Sequence, residues 1–326
     1  MQASKRNIML SLVENRNIEK ENISKALRAA DVIPTGKAWY HFIDRLLLWF
    51  AGLSLAFAMM FFIAYNWTAF GRFGKFALVE GSIILTIALY GYLGGESLSS
   101  KVLLLVSSIL LGVLLALVGQ VYQTGADPWQ LFLYWAVLVL PWVVVGRFSA
   151  LWILWIFLIN VSIVLYIEVS RGFFGFIFYS EVSFLWSLGA FNTLSWALWE
   201  FCSSRFAWLD DTWAIRLLGF VSMSAITSLA LSFFWEKSSG LTLLVWAASL
   251  FVVYLFYRVR KIDLFMLALA ALSFSVVLIG FLIHLLPWRD FNLGYVLFVG
   301  LVILGLGGGF AMWLKSLQKE LENAAE

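Results

Sequence analysis

Charge is scarce in this chain. Only 13% of its 326 residues are Asp, Glu, Lys or Arg, about half the share in a soluble domain, which excludes a protein whose surface lies mostly in water. The single cysteine, Cys202, excludes an intramolecular disulfide, and with only two histidines in the chain no Cys/His spacing suits a metal centre. No paired carboxylates, serine with a base or two-histidine arrangement of the kind acid-base or nucleophilic chemistry needs is present, so the expectation is a non-enzyme without a cofactor. The net charge of +3 does not point to nucleic acid, because most of the basic residues lie in an N-terminal arm and between apolar runs.

What is abundant is apolar surface: 63% of the residues are hydrophobic and 17 are tryptophan. Crossing some 30 Å of hydrocarbon takes about 20 mainly apolar residues. That criterion predicts an all-α, polytopic transmembrane helix bundle of about ten spans, near 46–65, 75–94, 102–123, 129–146, 148–167, 182–202, 213–235, 240–257, 262–286 and 293–314. Only Gly146-Arg147 separates the fourth from the fifth, and the run at 173–179 reads as a further re-entrant or interfacial piece. The largely polar start, residues 1–45, reads as a short cytoplasmic helical arm with helices near 4–14 and 18–30, the second capped by Asn17. Pro34-Thr35-Gly36 breaks the pattern, and Trp39, Tyr40 and Phe42 suit the headgroup boundary. The membrane domain is expected over 46–315 and a cytoplasmic tail over 316–326. No cleavable signal is expected, so the first span directs insertion.

With the N-terminus inside, sixteen Lys and Arg flank the spans on that side, from Lys5 to Lys319, against five (Arg72, Lys75, Arg171, Lys237, Arg289) on the other. Both termini are therefore expected in the cytoplasm.

Polar residues inside such a bundle are the candidate functional ones. Glu80 lies about a turn inside the second span, where a carboxylate is costly and should be neutral or paired from another helix. Two roles stay open for it, a proton or ion site and a structural interhelical bond. GQVYQTGADPWQ, Gly119–Gln130, joins the third and fourth spans on the outer side. Asp127 suits an N-cap with Pro128 at the first helical position and Gln130 reaching back, while Gly125 suits a left-handed helix end. Gln120, Gln123 and Thr124 share a face if the third helix reaches them, either lining a cavity or wetted by headgroups. Asn66, Glu80, Gln120, Tyr122, Gln123, Asp127 and His284 all fall in the outer half, which makes an outward-facing polar pocket the expected site. Glu200 and Arg216 fall near the cytoplasmic face in consecutive helices and read as a structural ion pair. Asn160 and Asn192, both mid-span, are expected to join helices. Gly305 and Gly309 suit close helix approach instead of nucleotide binding, since no strand precedes them.

Trp39–Trp49 (WYHFIDRLLLW), Ala64–Trp67 (AYNW) and Gly119–Gln130 resemble the bacterial predicted-membrane-protein family of domain of unknown function 2157, over about residues 1–146. The resemblance implies a bacterial inner-membrane protein and a second multi-span membrane protein as partner. It implies no catalytic residue. Two functions compete: a small-molecule or ion transporter, or accessory subunit of one, and a non-transporting scaffold or envelope sensor that acts through its N-terminal arm.

Overall fold

The computed structural model describes residues 9, 12–13, 18, 20–30, 32–65, 70–170, 181–236, 238–286 and 293–323. No strand occurs among them. After a 3-10 turn, Lys20–Asn22, come α1 (Ile23–Ala29), α2 (Gly36–Tyr65), α3 (Arg72–Tyr92), α4 (Leu98–Tyr122), α5 (Pro128–Gly146) and α6 (Ser149–Ser170). They are followed by α7 (Glu181–Ser203), α8 (Thr212–Trp235), α9 (Leu241–Leu255), a π-turn at Phe256–Arg260, α10 (Leu264–Leu285) and α11 (Leu293–Asn323). The expected ten runs are thus helices α2 to α11, and nine of these, with α9 counted through its π-turn to Arg260, are long and apolar enough to cross a membrane. The exception is α7, which has the length but carries Ser183, Ser187, Asn192, Thr193, Ser195 and Glu200 among its apolar residues. This is a polytopic helical bundle. It divides into two compact units, residues 1–54 with 311–326 and residues 55–310.

In the first unit, the arm's second helix starts at Ile23, with Asn22 and not Asn17 at the N-cap position. Asn17 and most of the expected helix near 4–14 lie outside the described residues. The break at Pro34-Thr35-Gly36 holds, and the Thr35 hydroxyl accepts from the Ala38 N–H at 3.3 Å, as a capping side chain does. From Gly36 the chain is one helix through Tyr65. The expected boundary at residue 45 therefore falls inside a helix, because no proline or glycine breaks the chain between the interfacial aromatics and the apolar run. At the other terminus α11 continues to Asn323, so most of the expected tail is helix.

The second unit is held by small polar side chains between apolar helices. In α4 and α3, Ser107 donates to Thr86 at 2.7 Å. Gly112 lets the Trp135 ring of α5 lie where a Cβ would stand 2.4 Å from it, and the indole N–H donates to the Ser108 carbonyl at 2.7 Å. The expected division at Gly146-Arg147 is present: α5 ends at Gly146, Arg147 turns left-handed with φ 43°, and α6 starts two residues later. Asn160 of α6 and Asn192 of α7 join as expected by exchanging amide bonds of 3.1 and 2.6 Å. Thr193 and Ser222 link α7 to α8 at 2.7 Å, Thr227 and Ser273 link α8 to α10 at 2.6 Å, and Trp246 of α9 donates to Ser273 at 3.0 Å. In lipid there is little hydrophobic drive between helices, so close packing and such bonds carry association. Among the described residues, Gly305 and Gly309 of α11 do not take part. A Cβ at Gly305 or Gly309 would meet nothing within 4 Å, so the expected close approach is corrected.

Candidate functional site

α7 enters the site with Trp196 and Glu200 one turn apart. α9 then passes into the π-turn, whose extra residue widens the helix and aims successive side chains differently from an α-turn; such turns recur at functional sites. The Lys261 N–H closes the turn on the Phe256 carbonyl at 3.0 Å. It presents Tyr257, which is 1% exposed, with its ring stacked on Trp196 at 6.0 Å between centroids and 6° between planes. The Tyr257 hydroxyl donates to Glu200 at 3.0 Å, and the Lys261 ammonium donates to the other carboxylate oxygen at 2.6 Å.

The expected Glu200–Arg216 ion pair is therefore corrected: Glu200 pairs with Lys261, and Arg216 of α8 holds Asp263 through two bonds of 3.1 and 3.3 Å. The reason lies in the chain between α9 and α10. Asp263 caps α10, its carboxylate accepting from the Phe265 and Met266 N–H groups at 2.9 and 3.4 Å. That geometry sets the carboxylate against Arg216 for a two-pronged guanidinium contact, while the π-turn brings Lys261 round to α7. The connector is thus pinned on both sides, to α7 and to α8.

The loop between α7 and α8 is fixed as firmly. Trp199 donates to the Leu209 carbonyl at 3.1 Å, and Ser149 at the start of α6 donates to Asp211 at 2.5 Å. Ile156, Trp199, Leu209, Ala214, Ile215 and Leu218 form a buried cluster beneath it. Between these pinned segments opens a cavity of about 930 Å³. Its apolar walls include Ala197, Phe201, Val252 and Phe256, and its polar lining includes the Glu200–Tyr257–Lys261 cluster, Asp210, Arg260 and the hydroxyl residues Thr193, Ser203 and Ser204. Such a mixture of apolar wall and a few convergent polar groups is the usual form of a small-molecule site. A second cavity, of about 460 Å³, lies among Trp129, Leu133, Ser162, Tyr166 and Ser187 and is almost wholly apolar.

The residues expected to form an outer pocket are placed elsewhere. Glu80 is exposed on α3. Gln120 and Tyr122 are exposed at the end of α4, where Tyr122 packs on Phe76 at 5.9 Å. The helix stops at Tyr122 and Gln123 itself takes the left-handed position, φ 46°, followed by Gly125 at φ 64°. Gln120, Gln123 and Thr124 therefore do not share a helical face, because the chain turns before Thr124. Asp127 occupies the N-cap position of α5 with Pro128 at the first turn, but its side chain makes no capping bond. His284 lies beside Phe234, 5.8 Å between rings. Asn66 is outside the described residues, as is the run at 173–179. No hydrogen bond or ion pair joins these candidates among the described residues, and both cavities are lined by other side chains. Trp196, Asp210, Tyr257, Arg260 and Lys261 were not marked by sequence. The basic run at 258–261 is read there as a topological signal, which hides its second use as a wall of the cavity.

Residues 10–152 match the family described as predicted membrane protein, DUF2157. The DUF2157 match covers α1 to α5 and the first residues of α6, in agreement with the resemblance carried by Trp39–Trp49 and Gly119–Gln130. It ends well before Glu200, so the cavity belongs to the part of the chain beyond the DUF2157 segment. No curated protein and no solved structure matches the chain. Among the described residues no group of three or more His, Cys, Asp or Glu is placed to hold a metal ion.

Proposed function

We propose that this chain is an inner-membrane protein that binds a small amphipathic molecule in the cavity between α7 and α9, as a transporter or an accessory subunit of one, without chemical turnover. The single observation that carries the reading is the open, mostly apolar cavity with an ion-paired carboxylate on its wall. Glu200 is 12% exposed and Lys261 41%. Partly burying two charges is costly, and it weakens the case for a role confined to stability, since buried pairs often contribute little net stability. Arg260 and Lys261 line the cavity, and the excess of basic residues in short loops supports a cytoplasmic position for that end.

A diazirine-bearing fatty acid, photolysed with the purified protein in nanodiscs, tests the reading. Adducts are expected on the peptides spanning 193–204 and 252–261, and Ala197→Trp should remove them by filling the space. Adducts confined to the outward faces of α2 and α11 contradict it.

A second reading, a lasting multi-span membrane partner, is favoured by Glu80. Its carboxylate is exposed at membrane depth beside Gly81, and a charged group there normally faces protein or water and not lipid. Light scattering of the protein co-purified under mild detergent from its native membrane should then show an assembly above the 36.9 kDa monomer that Glu80→Leu dissociates. A monomer in both samples counts against it.

A further inference from the structure

Of the four charged side chains on the cavity, two are already satisfied. Glu200 holds Lys261 and Tyr257, which neutralises the inner wall. The remaining two are Asp210 and Arg260, both exposed, opposite in sign and without an ion-pair partner among the described residues. Asp210 stands on the pinned loop before α8 and Arg260 on the last residue of the π-turn, so each is carried by backbone that the rest of the fold holds in place. Most of the remaining lining is apolar, and among it Phe201 on α7 and Val252 on α9 are exposed.

From this arrangement we infer that the cavity takes a zwitterionic aminophospholipid, its phosphate on Arg260, its primary ammonium on Asp210 and an acyl chain along Phe201 and Val252. The inference rests on the amphiphile-binding role proposed above and adds the chemistry of the head group. A guanidinium presents several N–H donors to a phosphate, and a carboxylate accepts from an ammonium. A purely anionic lipid would satisfy Arg260 but set its remaining polar groups against Asp210, and a purely cationic amphiphile would do the reverse. A cavity of about 930 Å³ is within the usual range for small-molecule sites. It accommodates a head group and the start of a chain, with the remainder in the surrounding lipid.

The test uses the full chain in nanodiscs with diazirine-bearing phosphatidylethanolamine or phosphatidylglycerol. Cavity peptides of the wild type should label more strongly with the ethanolamine lipid. Asp210→Asn should lower that labelling roughly fivefold, the upper worth of an exposed ion pair, and should not lower labelling by the glycerol lipid, from which it removes a like charge. Arg260→Gln should lower both. Free phosphoethanolamine at millimolar concentration should compete poorly, because it lacks the chain. Equal labelling of the wild type by the two lipids overturns the inference, and so does indifference to both substitutions. Full displacement by free phosphoethanolamine would make the ligand a soluble zwitterion and overturn the assignment to a lipid. Retained fatty-acid labelling in Asp210→Asn and Arg260→Gln shows that each variant is folded and that the cavity still binds amphiphiles. Loss of the head-group preference alone is thereby distinguished from failure of the binding role itself.

Discussion

Lys261→Met separates the worth of the ion pair from the worth of the cavity wall, because the substitution keeps most of the side-chain volume and removes only the charge. The Lys261 ammonium stands 2.6 Å from the Glu200 carboxylate, which is 12% exposed. Removing one partner of a fully buried pair costs about 3–5 kcal/mol, since the other charge is left uncompensated. Two features reduce that here: Lys261 is 41% exposed, so water already screens part of the attraction, and Tyr257 continues to donate to the carboxylate. The expected loss of stability for Lys261→Met is about 2 kcal/mol. Glu200→Gln should cost less, about 1 kcal/mol, because the amide still accepts from Tyr257 and the freed lysine reaches water. The double variant should then cost little more than Glu200→Gln alone, with a coupling of about 1–2 kcal/mol. Reversible unfolding in mixed micelles, read as a double-mutant cycle, measures all three. Additive losses, or a larger loss for Glu200→Gln than for Lys261→Met, would refute the reasoning.

Asn160→Leu and Asn192→Leu should each destabilise the bundle by about 1 kcal/mol, the scale of interhelical hydrogen bonds in membranes. In the same unfolding assay the double variant should fall short of their sum, because both remove one reciprocal pair. Gly112→Leu should cost more, about 2–3 kcal/mol, since even its Cβ would lie 2.4 Å from the Trp135 ring; a thermal-shift measurement in detergent detects it, and Gly305→Leu serves as the unobstructed comparison. Asp127→Ala should change stability by less than about 0.5 kcal/mol in that measurement, because the side chain makes no capping bond.

The helices were legible because lipid imposes a length on every apolar run, and the run lengths are written in the sequence. The 146/147 break was legible for a related reason: the apolar run from 129 to 167 is too long for one span, and Arg147 is the one charged residue inside it. The pairing of Asn160 with Asn192 followed from two amides at similar depth in consecutive antiparallel spans. The partner of Glu200 was not legible. Arg216, Arg260 and Lys261 all lie at the same end of the bundle, and the choice among them depends on a π-turn that no periodicity announces and on Asp263 claiming Arg216 first. The outer pocket failed for a different reason. Sequence shows that Glu80 and Gln120 lie at similar depth, but not which way α3 and the end of α4 face, and the structure turns both outward. Trp196 and Tyr257 look like two more aromatics in a chain rich in them until their stacking is seen.

The most direct test of the account is the accessibility of the cavity from one side of the membrane. In a Cys202→Ser background, Ala197→Cys places one thiol on the cavity wall and, separately, Ala126→Cys places one at the opposite end of the bundle. A membrane-impermeant maleimide should modify position 197 only in inverted vesicles and position 126 only in intact spheroplasts. Modification of position 197 from the outside, or its complete inertness from both sides, would contradict a binding cavity open to the cytoplasm.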